Sequence, residues 1–85
     1  MLFQQNSDTF IRKIGPYGYV VNQNTKHDRL FNESGREFLM EFSRKPRRIE
    51  DAVTSLAGKF NDVKIDTIRT DFLEFVAYLE KHRFA

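Results

Sequence analysis

The residues of this chain whose types could support catalysis are few and scattered. His27 and His82 are its two histidines. They are far apart in sequence, and neither belongs to a close-spaced set of His, Asp and Glu of the kind that holds a metal. Ser34 and Ser43 have no His or Lys at a spacing that would activate a hydroxyl nucleophile. Ser34 falls in the first turn of a predicted helix, where serine is favoured for backbone reasons alone. Glu50 and Asp51 are adjacent on a predicted helix and point in different directions, so they read as dipole partners and not as an acid/base pair. Gly15 and Gly18 flank Pro16 in turn chemistry, unlike a phosphate-binding glycine loop. There is no Cys, hence no disulfide framework and no thiolate metal site. The reading is a chain that is not an enzyme and has no metal or cofactor.

One charged cluster points elsewhere. Arg44, Lys45, Arg47 and Arg48 place four cations in five residues, a candidate contact for nucleic-acid phosphates. With three helices beside a small sheet, that suits a winged-helix DNA-binding protein. The predicted last helix weighs against it. It carries Asp66, Asp71, Glu74 and Glu80 against Arg69, Lys81 and Arg83, and phosphates repel carboxylates. The competing view of the cluster is a solvated loop.

The elements that would position these residues follow from pattern. Residues 1–7 are polar and expected to be a flexible N-terminus, with one domain over 8–85. Thr9–Ile14 is rich in β-branched and aromatic residues and predicts a strand. Gly15-Pro16-Tyr17-Gly18 predicts a turn, Tyr19–Asn22 a second strand, and 26–31 a short third strand. Short connections make these an antiparallel meander with the third strand at an edge. Asn32 is a good N-cap for a helix that buries Phe38, Leu39 and Phe42 and stops before Pro46. Ile49, Ala52, Val53, Leu56, Ala57 and Phe60 form one stripe at helical spacing. A third helix is expected from about Asp66, its cap, to about His82, with Ile65, Ile68, Phe72, Phe75, Val76 and Leu79 as the main stripe. Leu73 and Ala77 widen that surface to one side. The predicted fold class is α+β, winged-helix-like: a three-stranded antiparallel sheet followed by three helices.

Bulk properties bound the rest. Eighty-five residues make one domain at most. A composition that is 40% hydrophobic with nine Phe is globular and not disordered. The N-terminus has no basic start or apolar run, so no signal peptide is expected, and no stretch is long and apolar enough to span a membrane. The formal net charge of +2 is small despite a pI of about 9.1, which weakens any argument for nucleic acid from charge alone. The absence of Cys suits a cytoplasmic location.

An edge strand supplies a different function. Its unpaired N–H and C=O groups are a template for an incoming strand. Leu30 and Phe31 lie on opposite faces of the third strand, so one can serve the core while the other serves a partner. Leu73 and Ala77 would wall a groove in which an extended peptide gains main-chain hydrogen bonds and side-chain pockets. Completion of a small core by Leu30 and Leu73, or dimerisation through the edge, are the alternatives from pattern.

Several segments carry a family resemblance. They are Tyr19-Val20-Val21-Asn22, then Leu30-Phe31-Asn32-Glu33-Ser34-Gly35, then Arg48-Ile49-Glu50-Asp51-Ala52-Val53 with Leu56 and Phe60, and finally Asp71-Phe72 with Phe75, Val76 and Leu79. Over about residues 8–84 the chain resembles the PqqD-like proteins, recognition elements that bind leader peptides of ribosomally made, modified peptides. The strand-to-helix segment is the most specific of these.

The resemblance implies a non-enzymatic, winged-helix-like domain that binds a leader peptide as an added strand on the third strand, walled by the third helix. It implies delivery of that precursor to a tailoring enzyme or leader peptidase, as in lasso-peptide, quinone-cofactor and thioether-peptide pathways. Carried onto this chain, the implied groove comprises His27, Asp28, Arg29, Leu30 and Phe31 with Arg69, Phe72, Leu73, Val76 and Ala77. Two features depart from the family pattern. Arg48 stands where Ser or Thr commonly caps the second helix, and His27-Asp28-Arg29 makes the third strand more polar than usual.

Overall fold

The computed structural model describes residues 1–85. Its elements in order are β1 (Leu2–Phe3), β2 (Thr9–Ile14), β3 (Tyr17–Asn22), β4 (Asp28–Phe31), α1 (Glu33–Leu39), β5 (Arg47–Arg48), α2 (Ile49–Ala57) and α3 (Ile65–Lys81). The expected antiparallel meander is present as β2-β3-β4, followed by the three expected helices. A second, two-stranded sheet pairs β1 with β5.

The first hairpin turn is tighter than the sequence suggested and the second is longer. Tyr17 pairs with Ile14, so the first loop is Gly15-Pro16 alone. Gly15 sits at φ +57°, a conformation in which a side chain is strained. In the second turn the Asn22 side-chain oxygen accepts N–H bonds from Asn24 (2.8 Å) and Thr25 (3.1 Å). Lys26 then takes φ +66°. Residues 26 and 27 are thereby drawn into the turn, and β4 starts at Asp28. Asn22 is itself buried, and its amide donates to the Arg83 carbonyl at 2.6 Å, tying the hairpin to the C-terminal end of the chain.

Within residues 1–7, expected as a flexible N-terminus, Phe3 packs into the core. Its ring is 5% exposed and meets Phe42 and Phe72 edge-on, at centroid distances of 4.7 and 5.2 Å. Burying a Phe contributes about 1.5–3 kcal/mol, enough to fix a two-residue strand against Arg47–Arg48. Two residues have no period, so pattern alone did not reveal β1. Every Phe except Phe10 belongs to the core or packs against it.

Asn32 caps α1 as expected, its side chain accepting the Gly35 N–H at 2.9 Å. Gly35 is where α1 closes onto β4. A Cβ there would lie 2.6 Å from Phe31 Cβ, an atom next to the backbone that cannot swing aside. Gly35→Ala is therefore expected to displace the β4–α1 junction and destabilise the domain by about 1–3 kcal/mol. Thermal unfolding measures the loss, and the Phe31 ring resonances report the displacement.

Arg48 precedes α2 with no side-chain cap bond, consistent with the departure noted in the sequence. α3 begins one residue early with Lys64 as its cap. Asp66, expected as the cap, lies in the first turn and accepts a bond from Arg69 (2.6 Å). At the other end Arg83 adopts φ +62°, and the Phe84 N–H returns to the Leu79 carbonyl (2.8 Å). That left-handed reversal satisfies the last carbonyls and turns Phe84 into the core. Glu41, 5% exposed, joins three elements: it accepts from Arg47 of β5 and Ser55 of α2, with Lys59 nearby at 3.6 Å. A carboxylate this buried is tolerable because its oxygens are all partnered.

Candidate functional site

Strand order leaves β4 at an edge of the three-stranded sheet. The direction of its backbone groups follows from pairing. Asn22 N–H donates to the His27 carbonyl (2.9 Å), and residues then pair as Val21↔Asp28, Val20↔Arg29, Tyr19↔Leu30 and Gly18↔Phe31. Hydrogen-bonded and non-bonded pairs alternate in an antiparallel ladder. His27, Arg29 and Phe31 thus bond to β3, while the N–H and C=O of Asp28 and Leu30 point away from the sheet. The opposite edge is less open. On β2 the same alternation turns Thr9, Ile11 and Lys13 outward, but the Thr9 carbonyl already accepts from Gln5 (2.8 Å) and Arg44 (3.2 Å).

The two faces of β4 differ. Asp28 and Leu30 share the outer face with Tyr19, whose phenol donates to Asp28 at 2.8 Å. That bond to a carboxylate raises the Tyr19 pKa above its usual value. Leu30 is 53% exposed there, pointing away from the helices. The inner face turns Arg29 and Phe31 toward α3. Phe31 packs on Phe75 (5.0 Å between centroids) and edge-on to Tyr78 (6.1 Å). The Arg29 guanidinium lies 5.5 Å from the centre of the Tyr78 ring.

A groove therefore runs between the β4 edge and α3 over an aromatic floor. At one end a cleft of about 250 Å³ is lined by Thr25, His27, Lys81, His82 and Arg83. A separate, mostly apolar cleft of about 130 Å³ lies between α1, the α2–α3 connection and α3, lined by Ser34, Phe38, Phe60, Val63, Ile68 and Asp71.

The structure brings only part of the predicted set together. His27, Asp28, Arg29, Leu30 and Phe31 all lie along the edge. Phe72 and Val76, expected in the groove wall, are 0% and 1% exposed and belong to the core. Arg69, Leu73 and Ala77 lie away from the flank of α3 that faces β4. Arg69 reaches across to α2, donating to both Glu50 oxygens (2.7 and 3.0 Å), which holds the Glu50 carboxyl below its usual range. Leu73 lines a shallow pocket with Met1, Arg48 and Ile49. Ala77 is exposed. The flank of α3 that meets β4 carries Phe75, Tyr78 and His82, which follow one another at helical spacing. Phe75 was legible as an apolar stripe residue. Tyr78 was not, because a phenol beside two acids and a lysine has no apolar signature.

The other candidates disperse. His27 and His82 line the same cleft, but no group of three potential metal ligands forms anywhere. Of the basic cluster, Arg47 is committed to Glu41, and Arg44 lies over the Phe10 ring at 5.0 Å.

Comparison with known proteins adds two findings. The family model described as Coenzyme PQQ synthesis protein D (PqqD) matches residues 20–85. A solved structure, described as TbiB1 in complex with the TbiA(beta) leader peptide, superposes with a TM-score of 0.80 at 15% identity, covering 96% of this chain and 93% of that one. At that identity the likeness establishes a shared fold. No curated protein matches the sequence.

Proposed function

The chain belongs to the PqqD family, and we propose that it is a non-catalytic peptide chaperone that binds the leader segment of a ribosomally synthesised precursor and presents it to a modifying enzyme or leader peptidase. Its place is the cytoplasm, where a newly made precursor meets such enzymes. No helix of the chain is long and apolar enough to cross a membrane.

The observation that carries this reading is the free β4 edge beside an aromatic wall. An extended leader would bond to the outward N–H and C=O groups of Asp28 and Leu30 and continue the sheet. Its side chains would alternate between the Phe31–Phe75–Tyr78 floor and the outer face that holds Leu30 and Tyr19. The fold likeness to TbiB1, which was solved with a leader peptide, supports the same use of this architecture.

The test is amide hydrogen exchange followed by NMR, with and without a precursor leader peptide. Binding should slow exchange at Asp28 and Leu30, whose amides have no partner in the free protein, and leave Ile11 and Lys13 on the β2 edge unchanged. Protection of the β2 amides with β4 unaffected would place the peptide on the wrong edge for this proposal.

A further inference from the structure

We propose that the β4–α3 groove selects the charge of its ligand, taking a strand with a carboxylate side chain four residues C-terminal to its apolar anchor. This rests on the strand-addition reading above and specifies which peptides that site accepts.

The groove is electrically uneven along its length. Its upper end gathers His27 from the turn before β4 with Lys81, His82 and Arg83 from the end of α3. Arg29 stands next along the floor, held over the Tyr78 ring, which itself meets His82 at a tilt with 4.3 Å between ring centroids. None of these five groups forms an ion pair; the ion pairs of the molecule lie elsewhere, on Glu37, Glu41, Glu50 and Asp66. The carboxylate nearest in sequence on β4, Asp28, points to the outer face and accepts from Tyr19. Toward Phe31 the floor is aromatic, with Phe31 packed against Phe75 and Tyr78. An extended chain laid along this groove passes from an aromatic end to one that holds the unpaired cations Arg29, Lys81 and Arg83.

Spacing converts that polarity into a sequence preference. A strand added antiparallel to β4, the more stable pairing, runs from Phe31 toward His27. Its residues opposite Phe31, Arg29 and His27 point into the groove, because side chains alternate with period two. The residue opposite Phe31 meets the Phe31–Phe75–Tyr78 floor and is the apolar anchor. Four residues later, opposite His27, the side chain enters the cationic cleft, where a carboxylate is attracted and an ammonium repelled.

The experiment uses nine-residue Thr/Val-rich peptides with blocked ends, titrated at millimolar concentration into the ¹⁵N-labelled full chain. Each carries one Leu, followed four residues later by Glu, Gln or Lys; a further peptide places Glu four residues before Leu. The expected order is Glu tightest, about fivefold over Gln, as for a partly exposed ion pair, and Lys weakest, with the gap closing in about 0.5 M NaCl. The double variant Lys81→Gln with Arg83→Gln should erase the Glu–Gln difference while the Asp28 and Leu30 amides still shift. Equal binding of Glu and Gln peptides with those amides shifting would overturn the charge preference and leave strand addition standing. Tighter binding of the reversed-order peptide would overturn the orientation. If no peptide shifts the β4 amides, strand addition itself fails, and the charge preference with it.

Discussion

Leu30→Pro should weaken leader binding at least about tenfold while leaving the domain folded. The Leu30 N–H points out of the sheet, so proline removes no bond to β3, and proline is tolerated on an edge strand in that position. Little packing is lost, because the leucine side chain is 53% exposed. The residue before it, Arg29, is already extended, as the residue preceding proline must be. What the substitution removes is one donor to the incoming strand, and the ring fills space that strand would occupy. A lost backbone hydrogen bond to a partner is on the order of 1 kcal/mol, and the ring adds steric exclusion, so tenfold is a lower bound. Arg29→Pro is the contrasting variant. Its N–H bonds to Val20, and its guanidinium lies over Tyr78. That change should lower the thermal midpoint as well as affinity. Calorimetric titration with the leader, paired with thermal unfolding, separates the two. Wild-type affinity in a folded Leu30→Pro protein would show that the peptide does not add at β4.

The contrast between Leu30 and Phe31 shows what pattern could and could not reveal. The alternation of a strand guaranteed that the two residues lie on opposite faces. It did not say which face the helices cover. That depends on the β4–α1 junction, where Gly35 lets Phe31 pack beneath the helix start. Helical spacing placed Phe72, Phe75, Val76 and Leu79 on one broad stripe of α3. The stripe is wide enough that its centre and its two flanks meet different things: core, β4 and α2.

Leu73, expected in the groove wall, lies on the α3 flank that meets Met1 and the start of α2. The deciding contact is Arg69 with Glu50, an interaction between residues nineteen apart that carries no local signature. The elements themselves were legible because each has a local cause: β-branched runs, the Gly15-Pro16 turn, the Asn32 cap and the α2 stripe. Relations between elements, including the short pairing of Phe3 with Arg47, are tertiary and were not.

Phe72→Ala carries the largest expected loss of stability and separates core from groove. The ring is fully buried, with centroid distances of 5.2 Å to Phe3, 5.7 Å to Phe38 and 5.9 Å to Phe42. It joins the N-terminal strand, α1 and α3 at one point. Removing a buried Phe side chain costs about 3–5 kcal/mol, the transfer energy plus the cavity left behind. A domain of this size has a total stability near the lower end of roughly 5–15 kcal/mol. The midpoint should fall by well over 10 °C, at about 4–8 °C per kcal/mol, and leader binding should vanish only because the fold is lost. Phe72→Leu keeps most of the volume and should keep leader affinity within about twofold, since no groove surface changes. Tyr78→Ala should behave in the opposite way: a half-buried residue whose loss costs little stability but strips the groove floor and the platform beneath Arg29. Its affinity should drop about tenfold, the scale of an aromatic anchor at a binding site. If instead Phe72→Leu weakened the leader at unchanged thermal stability, Phe72 would have to reach the peptide, and α3 would present its core stripe, not its Phe75–Tyr78 flank, to the bound strand.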